Sequence, residues 1–432
     1  MQYYSTTNRE LKVSLQEAVL KGLAPDNGLF MPLTIPTFPE AWMEELSNLS
    51  FREIGYRVIG ALFSSDLTDA QIQELVDHTL TFDAPLVEVE QNVFSLELFH
   101  GPTLAFKDFG ARFCAKLLGM LVGTSAKKTR ILVATSGDTG SAVANGFLNV
   151  AGVEVIILYP KGKVSLLQEK QFTTLGKNII CLEVEGVFDD CQALVKQAFL
   201  DPELNEKLIL TSANSINVAR WIPQCLYYFY AYSRLPKKTE KIVFSVPSGN
   251  FGNLAAGILA QRMGLPISQF IAATNENKVV PTFLTGSYFE AKPSIPTLSN
   301  AMDVGNPSNF PRLVNLFEGD EEKFRNQVKG YFFSDAQTVQ AMQSVYRLGY
   351  TLDPHGAIGY LGLKKFLEID KDYQGIFLET AHPGKFQEVV EKAISEKLKL
   401  PERLAIFQKG EKNTIPLTAS FESFKQFLSA LD

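Results

Sequence analysis

The chain has 432 residues, 46% of them apolar and 20% charged, the balance of a soluble globular protein long enough for two or three domains. The formal charge of −6, from 41 basic and 47 acidic residues, and the lack of a dense Lys/Arg run argue against a nucleic-acid surface. No apolar stretch reaches the roughly 18 residues of a membrane span, and the opening MQYYSTTNRE lacks the basic-then-apolar pattern of a secretory leader. A cytoplasmic protein is expected, with no nucleic acid, no membrane and no obligate protein partner.

Taken in chain order, residues 1–84 read as a separate helical unit. Leu15–Lys21 is a helix ended by Gly22, and Pro25, Pro32, Pro36 and Pro39 then enforce an irregular stretch. Helical patterns over 51–63 and 69–79 complete the unit, whose plain role is packing rather than chemistry. From residue 85 to 432 the texture changes to apolar β-branched runs alternating with helices. The expected strands are Ile131–Ala134, Val153–Tyr159, Ile179–Val184, Ile242–Val246, Phe270–Ala273 and Gly375–Leu378, with helices such as Phe109–Val122, Ser141–Leu148 and Leu254–Met263. Strands apolar throughout are covered on both faces, so this is α/β architecture with mainly parallel sheets. In such sheets ligands sit beyond the C-terminal ends of the strands.

Several of those loops carry chemistry. In LFHGPTLAFKDFGARF, Lys107 sits among Phe106, Asp108 and Phe109. A partly desolvated lysine loses its proton more readily and can then form a Schiff base with an aldehyde; Asp108 works against this, and the alternative is an ordinary lysine at a helix start. ATSGDTGSA follows a strand, and its Thr135, Ser136, Asp138 and Thr139 suit either a bound anion or a capped turn. VPSGNFGN (Val246–Asn253) has the composition of a phosphate cradle but matches neither the nucleotide-hydrolase loop nor the dinucleotide fingerprint. SANSINVAR sets Asn214, Asn217 and Arg220 at helical three-residue spacing, and YPKGKVSLLQ brings Lys163 to a loop after a strand. In LETAHPGKF, Thr380 ends a strand where its hydroxyl could meet a heterocyclic nitrogen. His355 and His382 read as structural. Cys114, Cys181, Cys191 and Cys225 are unpaired in sequence and read as buried thiols, and no metal-ligand spacing is present, so no metal is expected.

Together HGPTLAFKDFG, ATSGDTG, ANSIN, VPSGNFGN, LSNAMDV and TAHP, with the N-terminal DNGLFMP, resemble the threonine synthase family, in its branch with the longer N-terminal domain, over almost the whole chain. The resemblance implies the tryptophan synthase β-like fold (fold type II), an N-terminal helical domain over 1–84, and a catalytic region of two subdomains over 85–432. It implies pyridoxal 5'-phosphate as cofactor and conversion of O-phospho-L-homoserine and water to threonine and phosphate. Lys107 would bond the cofactor and carry protons. Gly249, Asn250, Phe251, Gly252 and Asn253 would hold its phosphate and Thr380 would face its ring nitrogen. Thr135, Ser136, Asp138 and Thr139 would meet the substrate carboxylate, with Lys163, Asn214, Asn217 and Arg220 as candidates for the substrate phosphate. Asn253 and Gly384 depart from relatives that carry Asp and Ala there. The competing readings are a dehydratase or phospho-amino-acid lyase of the same fold and a non-catalytic binding relative.

Overall fold

A computed structural model describes residues 1–122, 128–236 and 241–431. The chain divides into two compact units: the first contains Met1, Met31–Phe106 and Trp221–Lys399, and the second contains Gln2–Phe30, Lys107–Arg220 and Leu400–Asp432.

The first unit is built on a six-stranded sheet in the order Val328–Phe332, Gln269–Thr274, Lys241–Pro247, Tyr373–Glu379, Val93–Glu97 and Leu86–Glu90. Every pair is parallel except the last. All of Gln269–Thr274 and all but the first residue of Lys241–Pro247 are buried, as strands covered on both faces must be. The helix Pro354–Leu367 packs its Ala357, Ile358 and Leu363 with Val243, Ile271 and Phe377 of the strands. Sheet order reverses between Lys241–Pro247 and Tyr373–Glu379. The chain runs outward from one of these strands and returns to the other side, which makes this gap a topological switch point.

In the second unit the sheet has five strands, all parallel, in the order Ile415–Thr418, Ile179–Glu185, Val153–Pro160, Thr129–Ala134 and Ile209–Ser212. Leu132, Ile156, Leu158 and Leu182 share a core with Leu194 and Phe424 of the helices Phe188–Leu200 and Phe421–Ser429. Its switch point lies between Thr129–Ala134 and Ile209–Ser212.

All six expected strands form, and the three helices Leu15–Lys21, Phe51–Phe63 and Asp69–Thr79 form at the expected bounds. Their starts are locally encoded: Ser14 with Glu17, Ser50 with Glu53 and Thr68 with Gln71 each make a capping box, worth about 1 kcal/mol per cap. Residues 1–84 are not purely helical, however. Gln2–Ser5 pairs antiparallel with Lys12–Ser14, and Phe30–Pro32 is a further strand. At three or four residues these strands are too short to show alternation. The chain passes between the compact units at Met1/Gln2, Phe30/Met31, Phe106/Lys107, Arg220/Trp221 and Lys399/Leu400. Among the described residues no helix is long and apolar enough to cross a membrane.

Candidate active site

Three neighbouring parallel strands of the first unit, Lys241–Pro247, Tyr373–Glu379 and Val93–Glu97, end on the same edge. The segments that follow them are Ser248–Asn253, Thr380 and the HGPTLAF run leading to Lys107. The last two interlock. Ala105 and Ala381 form an antiparallel bridge, the Phe106 N–H donates to the Thr380 carbonyl at 2.8 Å, and the His382 N–H donates to the Leu104 carbonyl at 3.0 Å. Lys385 Nζ donates to the Thr103 carbonyl at 2.8 Å. Leu104 itself has a φ of 57°, a left-handed conformation that costs a branched residue about 1–2 kcal/mol. These contacts hold it there, three residues before Lys107.

The Ser248–Asn253 loop is equally fixed. A Cβ on Gly249 would lie 2.8 Å from Met302 Cα and 2.9 Å from the Ala301 carbonyl oxygen, so only glycine lets the loop approach this closely. The Asn250 side-chain oxygen accepts from the Ser308 hydroxyl at 2.9 Å and from its N–H at 3.2 Å. Phe251 is left-handed at φ 60°, and no side chain among the described residues caps the helix Gly252–Arg262 that it opens. The first N–H groups of that helix therefore have no intrahelical acceptor and carry the positive end of its dipole. Asn253 Oδ1 receives the hydroxyls of Tyr227 and Tyr228, at 2.8 Å each, and its buried Nδ2 has no partner among the described residues. Behind the loop, His355 Nε2 accepts the Ala301 N–H at 3.2 Å, and Nδ1 lies 2.6 Å from Asp353 Oδ1. Accepting at Nε2 requires a lone pair there, so the ring proton is on Nδ1. Both expected structural histidines are thus bonded, His382 by accepting the Gly384 N–H at Nδ1.

The loops expected to meet substrate lie at one edge of the second unit's sheet, after Thr129–Ala134, Val153–Pro160 and Ile209–Ser212. Thr135 is buried, and its Oγ1 accepts the N–H groups of Gly137 and Gly140 at 3.0 and 2.8 Å. It staples the loop. Gly137 has a φ of 139°, which excludes other residues. Ser136 and Thr139 are half-buried. Asp138 does not present its carboxylate to open solvent: Oδ1 accepts from Gln168 Nε2 at 2.9 Å, and Oδ2 lies 3.7 Å from Lys107 Nζ. Lys163 is exposed. Asn214, Asn217 and Arg220 do not form a row on one helix, because the helix covers only Val218–Trp221. Asn217 is fully buried; its Nδ2 donates to the carbonyls of Val19 and Ser212, both at 2.9 Å, and its Oδ1 accepts the Ala219 N–H. Arg220 is buried too, donates Nη1 to the Ala213 carbonyl, and is held down to about 10 by desolvation. Asn214 keeps a buried side-chain oxygen without a partner among the described residues. The four cysteines are buried, with thiols pushed up to about 12 by burial at Cys114, Cys181 and Cys191.

Residues 79–377 match the family described as pyridoxal-phosphate dependent enzyme, residues 2–80 match threonine synthase N terminus, and residues 356–428 match threonine synthase, C-terminal. The chain belongs to the threonine synthase family. It is 46% identical over 418 residues to threonine synthase of Haemophilus influenzae, covering 96% of each chain, and 46% identical over 407 residues to that of Escherichia coli, covering 94% of each. The crystal structure of threonine synthase from Escherichia coli superposes with a TM-score of 0.94 at 43% identity over all of both chains. A pyridoxal-phosphate-bound threonine synthase from Brucella melitensis superposes at 0.92 with 33% identity, over all of this chain and 99% of that one. The fold extends to maize serine racemase, at a TM-score of 0.55 and 16% identity over 72% of this chain and 93% of that one.

As a member of this family the protein is a pyridoxal-phosphate-dependent enzyme of fold type II, acting on a small-molecule substrate. Its residues fit that cofactor. A phosphate dianion suits an uncapped helix start with an orphaned buried amide donor beside it, and both occur at Gly252 and Asn253. Sequence reading missed residues that fix the candidate site, among them Gln168, Ser308, Tyr227 and Tyr228. They lie far from their partners in sequence, and no local signal marks them.

Proposed function

We propose that this chain converts O-phospho-L-homoserine and water to L-threonine and phosphate in the cytoplasm, with Lys107 as the residue that bonds the cofactor. The observation that carries the assignment is the interlock of the Leu104–Phe106 segment with Thr380–His382, beside the strand that leads to the phosphate cradle. It joins two separate motifs at the sheet edge where the strand leading to the third also ends. Gly249, Asn250, Phe251, Gly252 and Asn253 would hold the cofactor phosphate, and the Thr380 hydroxyl would serve the ring nitrogen. A hydroxyl there does not force the ring to carry a proton as a carboxylate would.

Bound pyridoxal phosphate supplies an electron sink for the charge left at the substrate α-carbon. Lys107, once its amine is free, would take a proton from the α-carbon and one from the β-carbon, whose electron pair expels phosphate from the γ-carbon; a proton would then return to the γ-carbon, and water would add its hydroxyl at the β-carbon as the α-carbon is reprotonated. The Ser136 and Thr139 hydroxyls, at the start of the helix Asp138–Phe147, bind the substrate carboxylate. Asn214 and Lys163 are the groups best suited to the substrate phosphate. Thr135 and Asn217, bonded to backbone, and the buried Arg220, with Nη1 on the Ala213 carbonyl, serve the loops instead.

The test is incubation of the cofactor-loaded enzyme with O-phospho-L-homoserine and quantification of threonine, phosphate and 2-oxobutyrate together. Equal threonine and phosphate is the expected result. Phosphate with 2-oxobutyrate and little threonine would make the enzyme a lyase of the same fold. Lys107→Ala should reduce turnover by at least about a thousandfold with the thermal midpoint nearly unchanged, and an active variant would overturn the role of Lys107.

A further inference from the structure

We infer that Asp138 is the charge partner of the Lys107 amine: it receives the ammonium whenever the amine is released from the cofactor, and Gln168 positions it for this. The inference rests on the reading of Lys107 as the cofactor lysine. Lys107 Nζ lies 3.7 Å from Asp138 Oδ2, with 18% of the lysine side chain exposed and 5% of the aspartate. A carboxylate so buried needs compensation. Its other oxygen has a fixed donor in Gln168 Nε2 at 2.9 Å, so Oδ2 is oriented toward the amine.

Gln168 is in turn set by its surroundings. Its Oε1 accepts the Ser165 hydroxyl at 2.8 Å, and its backbone carbonyl accepts from Ser141 Oγ at 3.3 Å. The side chain of Gln168 fills the place a Cβ on Gly137 would take, 2.9 Å from that position. The loop glycine is therefore what lets Gln168 reach Asp138.

Other charges on the same elements are engaged elsewhere. Asp108, next to Lys107 in sequence, acts on Arg112 and Arg220, supporting their charge against burial. Glu169, next to Gln168, pairs with Lys412 at 2.6 Å. Asp138 is also poorly suited to a substrate carboxylate, since two like charges would meet. Pairing with the lysine gives its charge a use and leaves the neighbouring hydroxyls of Ser136 and Thr139 to the substrate.

A carboxylate beside an amine favours the amine's protonated form, and the test removes that carboxylate charge. Replacing Asp138 by asparagine keeps the acceptor for Gln168 and the size of the side chain but removes the charge. The experiment compares wild type, Asp138→Asn and Gln168→Leu. Pyridoxal phosphate is added to cofactor-free protein over a range of pH, and the rate at which the cofactor–lysine absorption band appears is followed. Borohydride reduction and peptide mass then locate the lysine that is bonded. With Lys107 labelled, the pH midpoint of the rate should move to lower pH by about one unit in Asp138→Asn, and by less in Gln168→Leu. The kcat of Asp138→Asn should fall about 100-fold, the lower range for a positioned proton-handling group. Label at Lys107 with an unmoved midpoint in Asp138→Asn overturns the inference alone. Label at another lysine overturns the Lys107 reading and the inference together.

Discussion

Glu379, the last residue of the strand that ends at Thr380, is fully buried, and its Oε1 accepts the Asp353 N–H at 2.7 Å. Burial, with the Asp353 carboxylate beside it, pushes its pKa well above the ordinary 4.5. The folded protein therefore keeps a proton that the unfolded chain releases above about pH 4.5. Stability attached to this group is at its fullest below that pH and falls as pH rises toward the folded-state pKa, by up to about 1.4 kcal/mol per unit. No solvent screening reduces the figure, because the group has no exposed surface. Glu379→Gln keeps the acceptor for Asp353 and places a permanent neutral donor where the carboxyl proton sits. Its stability relative to wild type should rise between pH 5 and pH 7, at up to about 1.4 kcal/mol per unit. Urea unfolding of both proteins at pH 5, 6 and 7 and constant ionic strength measures this difference. A difference that stays constant across the three pH values would refute the buried, protonated state of Glu379.

Two further outcomes follow from the geometry. Asn217→Ala strands the Ala219 N–H and takes a donor from the Val19 and Ser212 carbonyls, and should lower urea-unfolding stability by about 2–4 kcal/mol; a loss under about 1 kcal/mol would mean these bonds are replaced by others. Gly249→Ala drives a Cβ against Met302 and Ala301, and should weaken pyridoxal phosphate binding about 10- to 100-fold, a displacement cost of about 1–3 kcal/mol. Equilibrium titration of cofactor absorbance reads it, and unchanged affinity would remove the loop from the cofactor.

The parallel strands were legible because burial on both faces makes them apolar runs, and the three N-terminal helices because their capping boxes are local. Lys107, the Gly249–Asn253 loop and Thr380 stand out as candidates for a similar reason: each follows a recognisable strand or leads into a recognisable helix. What a carboxylate or amide does once placed could not be found. Asp138 reads as part of an anion loop until Gln168, 30 positions away, fixes its direction. Asn217 reads as one of a helical row, yet it lies just before the short helix Val218–Trp221, and the backbone there turns through three-residue hydrogen bonds, Asn217 to Asn214 and Arg220 to Asn217. The clasp of Asn250 by Ser308 spans 58 positions. Tertiary partners at such separations leave no periodic trace in a single chain.

The bridge between Ala105 and Ala381 also determines how Lys107 can move. Backbone bonds tie Leu104 and Phe106 to the strand end, and Lys107 itself starts a 16-residue helix. The backbone just before Lys107 is thus anchored on the strand side, and the side chain is the lever. Excursions of the amine come from rotation about the bonds of a flexible four-carbon stem. The arc those rotations open to the amine is set by side-chain length, which makes lysine, rather than merely a basic residue, the requirement at this position.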